Sequence, residues 1–366
     1  MAFKGIIPAP KMTPMEFGLF SAAKPNADIP AGAEDKWVRG FEADFESRPN
    51  YVRVWDETSA TSFVAFTDTT SPHYAELKPY FIEVEDHATT LALLGLDRFE
   101  RIKRQLEAVT QKTLEHEFWD GHITRGQGLT NPYLSDGSTA VVVGGGVAVP
   151  PHHAIALLER GISNQSASGE QGTLHLTRDV ATLLGSQYML MRVEDDPGHI
   201  HIETNGGTTV VVGSGYSGAG PVWQVSNKAL TSNVATLTTA TDHYLTTGDS
   251  VIVSGVDSTF DGTYTVASTP TGTTFTYAKV HGNVSSVADT GTIQAQATAS
   301  YKWLYASGTI AILLGDSEVV NDNLAQAYDV AGNQNDMRIK ATRAAIAYFD
   351  TSIHLAVKVD MTTTAI

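Results

Sequence analysis

The sequence predicts an α+β fold with an all-β domain inserted into it. Three observations carry this. A single long helical pattern runs over 97–120. Strand and helix signals alternate over 138–222. At 223 the composition shifts: charge thins out, and Thr, Ser, Gly and Val dominate until 299.

The bulk properties set limits. At 366 residues the chain is long enough for two or three units. A hydrophobic fraction of 42% against 17% charged is ordinary for a globular protein. The net charge of −16 argues against a bulk surface that seeks nucleic acid, since phosphate binding needs Lys and Arg. There are no cysteines, which excludes disulfides and Cys-ligated metal sites. No apolar leader follows Met1, and no run of about 18 apolar residues predicts a membrane span.

Residues 1–35 read as an extended arm. Pro8, Pro10, Pro14, Pro25 and Pro30 disfavour helix there. Phe3, Ile6, Ile7, Phe17 and Phe20 make it too apolar for a disordered tail. An arm of this kind has no core of its own and must lie on a surface, its own domain's or a neighbour's. Residues 36–85 read as a long hairpin. Its first arm lies around Trp37–Trp55 and its return arm around Tyr74–Glu85, with a Ser/Thr-rich stretch, Glu57–Pro72, between them. A lone two-stranded hairpin is marginal in water, so this one is expected to lean on a partner.

Over 97–120, Asp97 and Glu100 resemble a capping box, and Gly121 sits where a C′ glycine ends a helix. Phe99, Ile102, Leu106, Val109 and Thr113 form one expected apolar stripe on a helix about 36 Å long. Beyond it, expected elements are a strand over Ala140–Val149, a helix over Pro151–Arg160, a strand at Thr173–Leu176 and a helix at Arg178–Leu184. Strands at Tyr188–Val193 and Thr208–Val212 follow. Within 223–299, five short strands between turn signals predict a small β-sandwich or barrel. Signal resumes at Trp303–Leu314, so this module reads as inserted. Arg338–Phe349 and Ser352–Met361 read as a closing hairpin turning at Asp350-Thr351-Ser352.

The candidate chemical motifs lack their contexts. Gly213-Ser214-Gly215-Tyr216-Ser217-Gly218 matches a dinucleotide fingerprint, but no helix opens after it. A nucleophile elbow at Ser217 fails because Ala219 stands where the last glycine belongs. His199 and His201 share a strand face but have no third ligand at fixed spacing. His116-Glu117-x-x-Asp120 has Asp120 where a zincin needs its second histidine. No catalytic, metal or cofactor site is expected, and no enzyme.

The order of parts and several local phrases resemble the major capsid proteins of tailed bacteriophages, the Hong Kong 97 type of capsid fold, particularly those of phages of actinobacteria. The phrases are Trp37-Val38-Arg39-Gly40-Phe41, Phe118-Trp119-Asp120-Gly121, Asn131-Pro132-Tyr133-Leu134, the run Gly172–Leu184, the glycine-rich loop Gly213–Pro221 and Arg343–Asp350. The insert, with Phe260-Asp261-Gly262-Thr263-Tyr264-Thr265-Val266, is similar to immunoglobulin-like or small β modules.

The resemblance implies a domain plan. An N-terminal arm occupies 1–35 and an extended loop 36–85. A peripheral domain with a spine helix takes 86–137, and the axial domain takes 138–222. The inserted β domain is 223–299, the axial domain resumes over 300–330, and peripheral strands fill 331–366. It also implies self-assembly into hexamers and pentamers of an icosahedral shell in the virion, built in the host cytoplasm. Portal and scaffold or decoration proteins would be partners, and double-stranded DNA would be enclosed without sequence-specific binding. No membrane partner or cofactor is implied. The subunit-interface candidates are Phe3, Ile6, Ile7, Phe17, Phe20, Trp37, Arg39, Phe41, Trp55, Arg98 and Arg101. The alternatives are an encapsulin-like nanocompartment shell and a tail-tube or adhesion protein.

Overall fold

The computed structural model describes residues 15–26, 41–44, 52–55, 62–66, 74–89, 98–166, 171–196, 199–321 and 336–362. Its helices are α1 (Leu19–Ala22), α2 (Arg98–Asp120), α3 (His122–Gln127), α4 (Pro151–Gln165) and α5 (Arg178–Ser186). With its many strands, the chain is α+β.

Helix α2 is the long helix that the periodicity predicts, but its buried row is different. Ile102, Leu106, Thr110, Leu114 and Phe118 are buried, whereas Phe99 and Val109 are exposed, as is Thr113. Steps of four residues drift about 40° per step around a helix, so this row winds as it proceeds. It leads into a last turn in which Glu117, Phe118, Trp119 and Asp120 are all buried. Gly121 ends the helix at φ +57° and donates its N–H to the Glu117 carbonyl at 2.8 Å. A Cβ there would lie 2.3 Å from the Tyr133 ring, so only glycine fits.

A seven-stranded mixed sheet runs in the order Val141–Val142, His354–Asp360, Tyr301–Ser307, Thr173–Thr177, Thr209–Gly213, His199–Thr204, Leu190–Asp196. The parallel neighbours Thr173–Thr177 and Thr209–Gly213 are buried almost throughout because both faces of the sheet are covered. One face carries α4 and α5, whose Ala154, Ile155, Leu158, Val180 and Leu184 pack with Leu174, Leu176, Val210 and Leu355. The other face takes the end of α2, with Trp119 against Tyr305 and Phe118 against His175. The expected strand over Ala140–Val149 is cut short. Only Val141–Val142 is strand, because Gly144, Gly145 and Gly146 all adopt positive φ and curl the chain into a 3₁₀ turn.

A four-stranded sheet centres on the long strand Asp336–Phe349. It pairs along one edge with Tyr80–Thr89, and along the other with Ile310–Leu314 and then Glu318–Asn321. This corrects three expectations. Tyr80–Glu85 is not part of the hairpin's return arm but a body strand. Residues 310–321 join this sheet and not the seven-stranded one that holds Tyr301–Ser307. The expected closing hairpin does not exist: His354–Asp360 pairs with Tyr301–Ser307. Asp350–Ser352 therefore carries the chain between sheets. Alternation of side chains reveals a strand but not its partner.

Between Thr209–Gly213 and Tyr301–Ser307, both neighbours of Thr173–Thr177, the chain forms an eight-stranded sheet of its own. Val234–Thr239, Ser250–Ser254 and Thr274–Ala278 fall where turn spacing puts them. Val222–Thr231, Ser268–Thr271 and Val284–Ala288 were not expected. The sheet wraps around Leu230, Leu237, Val251, Phe260, Phe275, Tyr277 and Ile293. It is tied to the body by a buried ion pair, Lys358 to Asp249 at 2.6 Å, with Lys358 over the Tyr301 ring. Removing one partner strands a buried charge. Lys358→Met is therefore expected to cost ~3–5 kcal/mol, and Lys358→Met with Asp249→Leu far less. Urea unfolding of both variants checks this.

Candidate assembly interface

Two pairs of strands, which we call the ribbon, lie within 41–77. Phe41–Asp44 pairs antiparallel with Tyr74–Leu77, Phe41 opposite Leu77 and Asp44 opposite Tyr74. Further out, Val52–Trp55 pairs with Ser62–Phe66, Val52 opposite Phe66. Past a register shift in that outer pair, Arg53 lies opposite Val64. Among the described residues the ribbon meets the body at its base. There Leu77 is fully buried with Leu313 and Ile346, and Phe41 and Tyr348 pack beside them. Asn131 clamps the same point: its Oδ1 accepts the Lys78 N–H and its Nδ2 donates to the Lys78 carbonyl, both at 2.8 Å.

Residues 15–26 of the arm lie on the chain's own body. Leu19 is fully buried in the main core. The Phe17 carbonyl accepts the Val212 N–H at 2.7 Å, and the Phe17 ring lies under Arg192. Arg178 donates to the Glu16 carbonyl. At the far end Asn26 imitates a strand, its backbone N–H bonding to the Ile312 carbonyl and its side chain to both polar groups of Leu314.

Arm, α2 and the glycine-rich loop meet at Glu115. This carboxylate is wholly buried. One oxygen accepts the Leu19 N–H at 3.0 Å and Gln111 Nε2 at 2.9 Å. The other accepts the Gly215 N–H at 2.8 Å and the Ser214 hydroxyl at 3.1 Å. Gly18 and Gly215 must be glycine for this approach. A Cβ on Gly18 would fall 1.7 Å from Gln111 Nε2, and one on Gly215 would fall 2.3 Å from the Lys112 carbonyl. The loop continues the docking. Tyr216 stacks obliquely on Trp119, Ser217 donates to Asp120 at 3.0 Å, and the Ala219 carbonyl accepts from Trp119 and Tyr305.

Two buried histidines lie below. His175 is held between the Tyr216 and Ser307 hydroxyls at 2.9 Å each. His354 donates from Nε2 to the Leu134 carbonyl at 2.8 Å, leaving Nδ1 to accept the Thr139 hydroxyl. Burial pushes the His175 pKa down to about 3, helped by the neighbouring His354. Burial likewise lowers His354 to about 4. Beside the loop, burial raises the Asp120 carboxyl above the usual range, although His116, Ser217 and Gln294 act against it.

The structure gives the chemical motifs other work. The glycine-rich loop is a docking loop. Glu117 accepts the N–H groups of Ile123 and Thr124 and so caps α3. His201 bonds to Glu203 at 2.8 Å. Among the described residues no group of three or more His, Asp or Glu is placed to hold a metal ion.

Of the interface candidates, Phe3, Ile6, Ile7, Trp37 and Arg39 lie outside the described residues. Phe17 and Phe20 are half-buried against the chain's own cores. Phe41 is half-buried at the ribbon base and Trp55 lies on the outer ribbon pair. Arg98 opens α2, and Arg101 is exposed on it. Sequence reasoning missed Glu115, Asn26 and Asn131. The weak signal for Glu115 was an acid at i+4 from Gln111, next to a buried position on α2.

No model of a known protein family matches the chain, and no curated protein does. Among solved structures it is similar to one from Mycobacterium phage Ogopogo, at 11% identity and TM-score 0.44, covering 98% of this chain and 97% of that one. It is similar to the capsid of a native GTA particle at 9% identity and TM-score 0.44, covering 98% and 92%. A holo-SrpI encapsulin complex from Synechococcus elongatus PCC 7942 gives 9% identity and TM-score 0.38, covering 87% and 86%.

Two outcomes are expected from this geometry. The folded state binds protons at His175 and His354 less readily than the unfolded chain, in which histidine titrates near 6.5. Their contribution to stability is thus complete above about pH 6.5 and is lost as pH falls toward 4, at about 1.4 kcal/mol per pH unit for each. Denaturant midpoints across pH 4–8 should fall on the acid side, and more shallowly in His175→Phe. Glu115→Ala should free residues 15–26 from the body, read as faster limited proteolysis there than in wild type.

Proposed function

We propose that this chain is the subunit of a closed protein shell, a phage-type major capsid protein that assembles into hexamers and pentamers around double-stranded DNA. The observation that carries the reading is the ribbon Phe41–Leu77. Where it is described it consists of paired strands, and the contacts described between it and the body lie at the base, at Phe41, Glu76 and Leu77 and through Asn131 on Lys78. Two strands without a third partner are marginal in water, so a ribbon this long is useful when another subunit supplies the missing surface. The bracing supports the same reading. The long helix is clamped between two sheets, and the arm is pinned to it at Glu115. A stiff body can therefore hold ribbon and arm at fixed angles, as repeated contacts around rotation axes require.

The remaining attributes belong to the same proposal. Phe3, Ile6, Ile7, Trp37, Arg39, Trp55, Arg98 and Arg101 would face neighbouring subunits. Portal and scaffold or decoration proteins would be further partners, and the particle would form in the host cytoplasm. A charge of −16 suits a wall that does not grip packaged DNA. The protein's role in this reading is structural and not catalytic. An encapsulin-like compartment would use the same body and would differ in its cargo.

The test shortens the ribbon. Asp44 lies opposite Tyr74, so an Asn-Gly turn can join them in place of 45–73. Purified wild-type chain should give closed polyhedral particles by negative-stain microscopy. The shortened chain should fold with an unchanged melting temperature yet form none. Wild-type chain that stays monomeric under assembly conditions, or forms tubes, contradicts the proposal.

A further inference from the structure

The eight-stranded insert ends in three exposed edge strands, and two of them are guarded against pairing. Ser268–Thr271 contains Pro270 and a register shift against its neighbour. Gly262–Thr265 is four residues long and opens on Gly262 at φ +140°. Proline, irregularity and short length are the usual protections of an edge. The third edge, Val284–Ala288, also shifts register against its partner, between Lys228 and Leu230, but it carries no proline to block a further strand. Its sequence, Val-Ser-Ser-Val-Ala, has no charge and no proline, and its one partner strand is Val222–Thr231. Exposed apolar side chains gather at the same end of the insert. Val280 is 88% exposed, Val287 48% and Val234 43%. Asn233 ties the 279–281 turn to this end.

The occupant is suggested by charge. Two chains of net charge −16 repel over most of their surfaces. The insert is where that repulsion is weakest. Residues 223–299 hold two lysines and five aspartates, and most of these are already engaged. Lys228 bridges Asp257 and Asp289, and Asp249 is paired with Lys358. Lys279 donates to the Tyr264 hydroxyl, and Asp261 accepts the Val256 N–H. An uncharged strand offering only main-chain groups suits another uncharged strand.

We propose that Val284–Ala288 pairs antiparallel with the same strand of a second copy of this chain, across a two-fold axis beside Ser286. Ser286 then faces its own counterpart, and Val284 faces Ala288 of the partner subunit. The two insert sheets join into one. This is strand addition with an isologous partner. It rests on the shell reading only in that a shell supplies neighbouring copies.

The chain has no cysteine, so a single introduced thiol reports the contact. Full-length Ser286→Cys under mild oxidation should run mainly as a covalent dimer. Thr271→Cys, on the guarded edge, should stay monomeric on the same gel. Adding Ser285→Lys to Ser286→Cys should cut the dimer at least tenfold while leaving the thermal melt unchanged. Amides 284–288 of the wild-type chain should exchange more slowly as protein concentration rises. Absence of a Ser286→Cys dimer together with concentration-independent exchange overturns the edge pairing. Microscopy of the same samples keeps the two readings apart: particles without the dimer sink only the edge pairing, and the dimer without particles sinks only the shell.

Discussion

Glu115 has no cation in its described set of partners, and the rest of the molecule is arranged around it. Burying a carboxylate is costly unless hydrogen bonds replace its water. Here four neutral donors do so, from three separate stretches of chain: Leu19 in the arm, Gln111 in α2, and Ser214 and Gly215 in the loop. Leaving any of these buried groups without its partner would be costly, so each stretch is held firmly and at one angle. The glycines at 18 and 215 follow from that constraint, because any side chain would block the approach.

Stiffness at this junction gives meaning to the parts that lack it. The end of α2 is gripped by the seven-stranded sheet through Trp119, Phe118 and Tyr216, while its flank lies on the four-stranded sheet through Ile102 and Leu106. From that body the ribbon leaves at a base fixed by Leu77 and Asn131. Among the described residues, the large buried clusters sit in the body and the insert. In the proposed shell, the ribbon and the insert edge are the parts that another copy would complete. That imbalance is expected of a building block more than of a free-standing catalyst.

Much of the body was legible in the sequence because local chemistry decides it. Gly121 ends α2 whatever packs around it, and Pro151 starts α4. A turn of the insert announces itself in Thr247-Gly248-Asp249, whereas Pro270-Thr271, read as a turn, closes the strand Ser268–Thr271. Pairing was not legible. Tyr80–Thr89 and His354–Asp360 alternate as strands should, but their partners lie far off in sequence, at Asp336–Phe349 and Tyr301–Ser307. The glycine run at 144–146 was read as strand because its flanks are apolar, and the left-handed backbone overrides that signal. The junction at Glu115 was the least legible part. An acid on a helix looks like a solvated face until the loop that caps it is in place.

In the proposed shell, another subunit completes the ribbon. The most direct measurement is hydrogen exchange at the backbone amides of Val52–Trp55 and Ser62–Phe66, compared between dispersed chain and assembled material. Fast exchange when dispersed and strong protection on assembly are expected, with the amides of α2 protected in both states. Ribbon amides as well protected in the dispersed chain as α2, with no change on assembly, would contradict it.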